Sequence, residues 1–190
     1  MKGNWLIRAL AATLLFFAAQ AQALLLTPAG TTCTSNINSN FNDAEVEAWV
    51  LSCFGRTLDL SLLYKANVND DGPPSESGPF AGSYQTTFSN TPSDPSDALI
   101  DYISGLAIVC PECFLVVKDG NQTPAQYLFD IGSWNGTDDL SLSGFWPNQG
   151  AISNVAIWGA PARQVSAPGT MALLGLALAG LGFVARRKAH

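Results

Sequence analysis

Histidine is almost missing from this chain: of 190 residues, only His190 is one. No Ser-His-Asp or Cys-His arrangement can form in the body of the sequence, and no histidine-based zinc site can either. Basic residues are nearly as scarce. Between Leu24 and Ala160 only Arg56, Lys65 and Lys118 stand against all 15 acids, so this stretch carries a net charge near −12, twice the −6 of the whole chain. Phosphate binding needs a basic face, which excludes nucleic acid as a partner. G-x-G-x-x-G and P-loop patterns are absent, no repeat recurs at a fixed period, and no cofactor is expected. Divalent cations, basic surfaces and neutral glycans stay open, although the acidity is explained by solubility outside the cell alone.

The acids do not assemble into a reaction centre. A glycosidase needs two carboxylates at a suitable gap. Glu45, Glu47, Asp59, Asp101, Glu112 and Asp130 are candidates, but no spacing selects a pair. No catalytic residue is therefore assigned and no enzyme activity is expected. Asn67-Val68-Asn69-Asp70-Asp71-Gly72 offers hard oxygens for Ca²⁺, with Asp70 and Asp71 the metal candidates. The run lacks the EF-hand spacing, and a solvated loop is the plainer reading.

What is present lies first at the two ends. Met1 to Ala23 has the parts of a secretory signal peptide. Lys2 and Arg8 give the positive start, Ala9 to Ala19 is apolar, and Ala21-Gln22-Ala23 is a small-x-small cleavage site. Export through the Sec machinery, cleavage by signal peptidase and a mature start at Leu24 are the expectation. At the other end Val165-Ser166-Ala167-Pro168-Gly169-Thr170 leads into an uncharged run, Met171 to Ala185, then the basic cluster Arg186-Arg187-Lys188. As a helix, that run would be about 22 Å long against a hydrocarbon core of about 30 Å. Gly175, Gly180 and Gly182 dilute its hydrophobicity further. The basic cluster acts as a stop and keeps the tail end in the cytoplasm.

The order of motif, apolar run and basic cluster resembles the PEP-CTERM sorting signal of exported Gram-negative proteins, whose usual form begins V-P-E-P-G-T. Val165, Pro168, Gly169 and Thr170 match it, as do Ala172-Leu173-Leu174-Gly175-Leu176 and Ala179-Gly180-Leu181-Gly182; Ser166 and Ala167 depart from it. The resemblance implies recognition by an exosortase, a membrane-embedded cysteine transpeptidase-like enzyme, acting near residues 165–170 and removing the tail. It further implies a transient stay at the inner membrane, release to the cell surface or beyond, and an association with exopolysaccharide, biofilm or floc formation.

All four cysteines, Cys33, Cys53, Cys110 and Cys113, fall between the two end signals, where an oxidising compartment favours two disulfides. Three connectivities exist, and nearness in sequence favours Cys33–Cys53 and Cys110–Cys113. Cys110-Pro111-Glu112-Cys113 has the spacing of a redox pair. It lies between Leu106–Val109 and Phe114–Val117, which read as strand, turn and strand, so a structural staple is expected.

Residues 24–160 read as one exported domain of antiparallel β-sandwich or jelly-roll-like architecture with one short helix. Asn42-Asp43-Ala44-Glu45 offers a cap for a helix to about Ser52, with Val46, Trp49, Val50 and Cys53 on one face. Strands are expected at Leu24–Leu26, Leu58–Ala66, Gly82–Ser89, Asp97–Gly105, Leu106–Val109, Phe114–Lys118, Ala125–Ile131, Asp139–Phe145 and Ile152–Trp158, and a loop at Asn67–Pro79. Tyr127-Leu128-Phe129-Asp130, Trp134-Asn135-Gly136-Thr137, Leu140 to Trp146 and Gly150-Ala151-Ile152-Ser153 resemble the closing part of many PEP-CTERM extracellular domains, with Asn154 where a histidine is common. Trp134, Trp146 and Trp158 could form a sugar-stacking platform, with core packing the safer reading for Trp134 and Trp158. Trp146, next to Phe145, is expected to face out as a glycan contact. A carbohydrate-binding module, assisted by Ca²⁺ at the Asp70-Asp71 loop, is accordingly the alternative to a matrix protein.

Overall fold

A computed structural model describes residues 23–89, 95–109, 111–119, 121–147 and 150–160. The expected signal peptide, apart from Ala23, and the whole sorting tail lie outside the described residues. Within them the chain forms β1 (Leu24–Leu26), a 3₁₀ turn (Pro28–Gly30), β2 (Thr34–Ser35) and α1 (Asp43–Phe54). Next come β3 (Ser61–Asn67), β4 (Ser75–Ser77), β5 (Tyr84–Ser89) and β6 (Asp97–Tyr102). β7 (Cys113–Lys118), β8 (Gln126–Asp130), β9 (Leu140–Leu142) and β10 (Asn154–Gly159) complete the described set.

The strands make two sheets, one of four in the order β1-β9-β6-β5 and one of six in the order β2-β8-β7-β10-β3-β4. Side chains of both meet in one core, including Leu26, Tyr84, Ile100, Leu140 and Leu142 from the smaller sheet and Leu115, Val117, Phe129, Val155 and Ile157 from the larger. This is an all-β sandwich. One pairing departs from the antiparallel expectation: β1 lies parallel to β9, Leu24 against Leu140.

Sequence pattern follows position in the layers. β5 is an edge strand with one face in water, so Tyr84 and Thr86 are buried while Gln85 and Thr87 are exposed. β7 and β10 are central and buried on both faces, which is why Cys-Phe-Leu-Val-Val-Lys and Asn-Val-Ala-Ile-Trp-Gly read as nearly unbroken apolar runs. The outer face of the larger sheet is covered by α1. Val46 and Val50 are wholly buried there against Phe114, Val116, Leu128, Ala156 and Trp158; each contributes about 1.5–3 kcal/mol. Asn42 and Glu45 close a reciprocal cap: Asn42 Oδ1 accepts from the Glu45 N–H at 3.1 Å and Glu45 Oε2 from the Asn42 N–H at 2.7 Å. Gly55 ends the helix in the left-handed conformation (φ 66°), its N–H donating to Leu51 O.

Two expected elements differ. Leu106–Val109 is not a strand: Leu106 and Val109 are exposed and only Ile108 is buried. The Ile108 N–H donates to the hydroxyl of Tyr84 at 2.7 Å instead of to a neighbouring strand, and that hydroxyl donates to Gly136 O at 2.7 Å. Gly136 has φ 82°, and a Cβ there would collide with the Ile108 carbonyl, so glycine is needed where the two loops cross. Tyr84→Phe leaves a buried N–H and a buried C=O unpaired, with an expected loss of about 2 kcal/mol in urea unfolding. Conversely, the expected Asn67–Pro79 loop contains β4. Ser75-Glu76-Ser77 has no apolar residue to announce a strand, yet it pairs with β3 at Lys65–Asn67. Glu76 Oε1 accepts from Tyr64 Oη and from the Thr86 N–H, both at 2.8 Å, joining the edges of the two sheets.

Candidate functional site

Of the predicted site residues, most lie outside the described residues, and among those described the fold joins Cys33 and Cys53. Val165, Ser166, Ala167, Pro168, Gly169, Thr170, Arg186, Arg187, Lys188 and Ala21 lie outside the described residues; Ala23 is exposed just before β1. Cys33 and Cys53 are disulfide-bonded with Cα atoms 5.9 Å apart, which ties the last turn of α1 to the segment entering β2. Cys113, at the start of β7, is also disulfide-bonded; its expected partner Cys110 lies outside the described residues.

Trp146 does not face out. It is 8% exposed beside the wholly buried Phe145, its ring 5.2 Å from that of Tyr127, and its indole N–H donates to Pro124 O at 2.8 Å. The alternation that would point one of two adjacent aromatics to solvent holds only within a strand, and β9 has ended at Leu142. Trp146 instead has φ 46°, a turn that lets consecutive rings enter the same core. Trp134 is buried too, donating to Asp138 O. Asp70 and Asp71 are exposed in a turn whose polar contacts are internal: Asn69 Nδ2 donates to Pro73 O and Asn69 Oδ1 accepts from the Asp71 N–H. Among the described residues no three His, Cys, Asp or Glu side chains gather as metal ligands.

Several candidate carboxylates are in structural use. Glu45 closes the helix cap, Glu47 Oε1 accepts from the Leu60 N–H at 2.9 Å, and Asp130 is ion-paired with Arg56. Arg56 also lies over the rings of Phe114 and Phe54. Asp101 is held above the usual carboxylate range, chiefly by burial and then by the charge of Asp139.

Where the sequence offered no motif, the outer face of the larger sheet forms a pocket of about 70 Å³. Lys118 on β7 stands between Asn154 on β10 and Gln126 on β8; Lys65 on β3 faces Ala156, and Trp158 follows two residues along the same face of β10. The segment before α1 forms the wall. Gln126 Nε2 donates to Ile37 O and Ser39 O, and Asn154 Nδ2 donates to Asn40 Oδ1 at 3.3 Å. Phe41, edge-on to Trp49, also lines the pocket. Lys118 is 7% exposed, and among the described residues its ammonium makes one hydrogen bond, a long one of 3.5 Å to Asp119 O. Burial lowers the Lys65 ammonium below its ordinary pKa, helped by repulsion from Lys118; burial lowers Lys118 as well, opposed by Asp119. The indole Nε1 of Trp158 is buried with no hydrogen-bond partner among the described residues.

Burial raises Tyr64, Tyr84 and Tyr127 above the ordinary value of 10.0. The folded state holds these protons more tightly than the unfolded chain. Their contribution is therefore complete below pH 10 and is lost as pH climbs above it, by at most about 1.4 kcal/mol per pH unit for each tyrosine. The two lysines act in the opposite sense, because their burial cost is relieved as pH rises to 10.5. Urea unfolding is thus expected to show a steep fall in stability above pH 10.5.

The sandwich defines a small β-domain with a helix on one face, and its sorting signal is identified by comparison. Residues 164–188, at the C-terminus, match the model of the PEP-CTERM protein-sorting motif. The motif implies an exported protein that is transiently anchored at the membrane and processed by an exosortase. No curated protein and no solved structure matches the chain.

Proposed function

We propose that this chain is an exported protein of the cell surface or extracellular matrix, freed from its membrane tail by an exosortase, and that it serves exopolysaccharide-associated assembly such as biofilm or floc formation by binding and not by catalysis. The observation that carries the reading is the sorting motif at residues 164–188. A start with Lys2, Arg8 and the Ala21-Gln22-Ala23 site supports export through signal peptidase. The Cys33–Cys53 disulfide suits an oxidising destination. The non-catalytic reading is supported by the lone histidine and by the structural use of Glu45, Glu47 and Asp130. The carbohydrate-module alternative has less support, because Trp146 is buried and offers no stacking face.

Within this reading the apolar run Met171–Ala185 is a weak hold next to the cutting region at residues 165–170. Deleting the host exosortase is expected to move the protein from the medium or cell surface into the membrane fraction at full tail length. Unchanged release in that strain would refute the assignment.

A further inference from the structure

We propose that the pocket on the outer face of the larger sheet binds a carboxylate group, held by the ammonium groups of Lys65 and Lys118 beside the indole of Trp158. The site is separate from the sorting tail and does not depend on its removal. Three observations carry it. First, the body has only three basic side chains, and two of them line the same pocket of about 70 Å³. The third, Arg56, is ion-paired with Asp130. Among the described residues neither lysine has a carboxylate partner, although the body holds all 15 acids. The acid next in sequence, Asp119, is turned to other work: Oδ1 accepts from the Asn121 N–H and Oδ2 from the Ala151 N–H.

Second, Trp158 is 5% exposed and lines the same pocket, and its indole Nε1 is sealed from water with no acceptor among the described residues. A buried donor left unpaired costs about 1–3 kcal/mol, and native folds seldom keep one without a use. Two lysines without a carboxylate partner among the described residues and the Trp158 ring therefore line one space. Third, the walls are already fixed. Gln126 and Asn154 are engaged with the Ile37–Asn40 backbone and side chain, so the pocket's shape is set before anything enters. Its volume of about 70 Å³ is enough for a small anionic group. Charge-assisted hydrogen bonds from ammonium to carboxylate are about twice as strong as neutral ones, and the surrounding apolar atoms of Phe41, Val116 and Ala156 limit screening.

The test uses the full chain in mild detergent with ¹⁵N-labelled tryptophan, whose five indole signals are few enough to separate. Trp158→Phe assigns the signal of interest. Acetate added at constant ionic strength is expected to shift the Trp158 signal saturably and to raise the melting temperature. D-glucuronate is expected to act likewise, and D-glucose, which differs from it by the carboxylate alone, is expected to do neither. Lys65→Gln, at a half-buried position, is expected to weaken acetate binding at least tenfold. Should Trp158→Phe fail to fold, the loss of acetate stabilisation in Lys65→Gln and Lys118→Gln still reads the site. The proposal is overturned by a shift that does not saturate, by equal effects of glucose and glucuronate, by sulfate binding more tightly than acetate, or by Lys65→Gln behaving as the parent.

Discussion

Neutralising Arg186, Arg187 and Lys188 together is expected to release the protein from the cell uncut, with its tail still attached. The uncharged run before them has 15 residues and three glycines. At about 22 Å as a helix it falls short of a hydrocarbon core of about 30 Å, so apolar burial alone holds it weakly. The three basic residues resist being drawn through. Each costs about 2.5–3.5 kcal/mol at the membrane centre, or roughly 8–10 kcal/mol for the cluster. With serine at all three positions that barrier is gone, and the chain slips outward before an exosortase acts. Fractionation followed by blotting with antiserum against the β-domain checks this. A triple variant that stays in the membrane, or is cut as the parent is, would show that hydrophobicity and not charge provides the hold.

Removing the Cys33–Cys53 bond is expected to cost about 3 kcal/mol of folding stability. The bridge spans 20 residues of sequence, and closing a loop of that length lowers unfolded-chain entropy by about that amount. Small domains have about 5–15 kcal/mol in total, so the loss is a large share. The double variant Cys33→Ser, Cys53→Ser should still fold cooperatively. Val46 and Val50 keep α1 seated on the sheet, and the Asn42–Glu45 cap does not involve the bridge. Its urea midpoint should fall without a change in slope. A shift worth less than about 1 kcal/mol would mean that helix packing already restrains this segment in the unfolded chain.

The helix was legible because its signals are local: Asn42 and Glu45 are three apart, and Val46 and Val50 repeat at helical spacing. β5 was legible for the same reason, since Tyr84 and Thr86 alternate with exposed neighbours. The misreadings share a cause. Leu106–Val109 looks like a strand, but what decides its path is a hydroxyl 24 residues away on Tyr84. β4 looks like loop, because its order comes from pairing with β3 and from the bonds Glu76 makes. Trp146 follows a strand that has already ended, so alternation no longer governs it.

The lysine pocket was invisible for a related reason. Asn40, Lys65, Lys118 and Trp158 are spread over more than half the chain, and a lone lysine carries no signal of its own. Strand register alone sets Lys118 beside Asn154 and Lys65 beside Ala156. The sorting tail is the opposite case. Its meaning lies in a contiguous order of residues that a processing enzyme reads as sequence, so no fold is needed to recognise it.

The most direct measurement is the intact mass of the protein collected from outside the cell, with sequencing of its last peptide. A molecule beginning at Leu24 and ending before Met171, at a residue between Val165 and Thr170, is the predicted result. A mass that still includes the residues through Arg186, Arg187 and Lys188 would contradict the account.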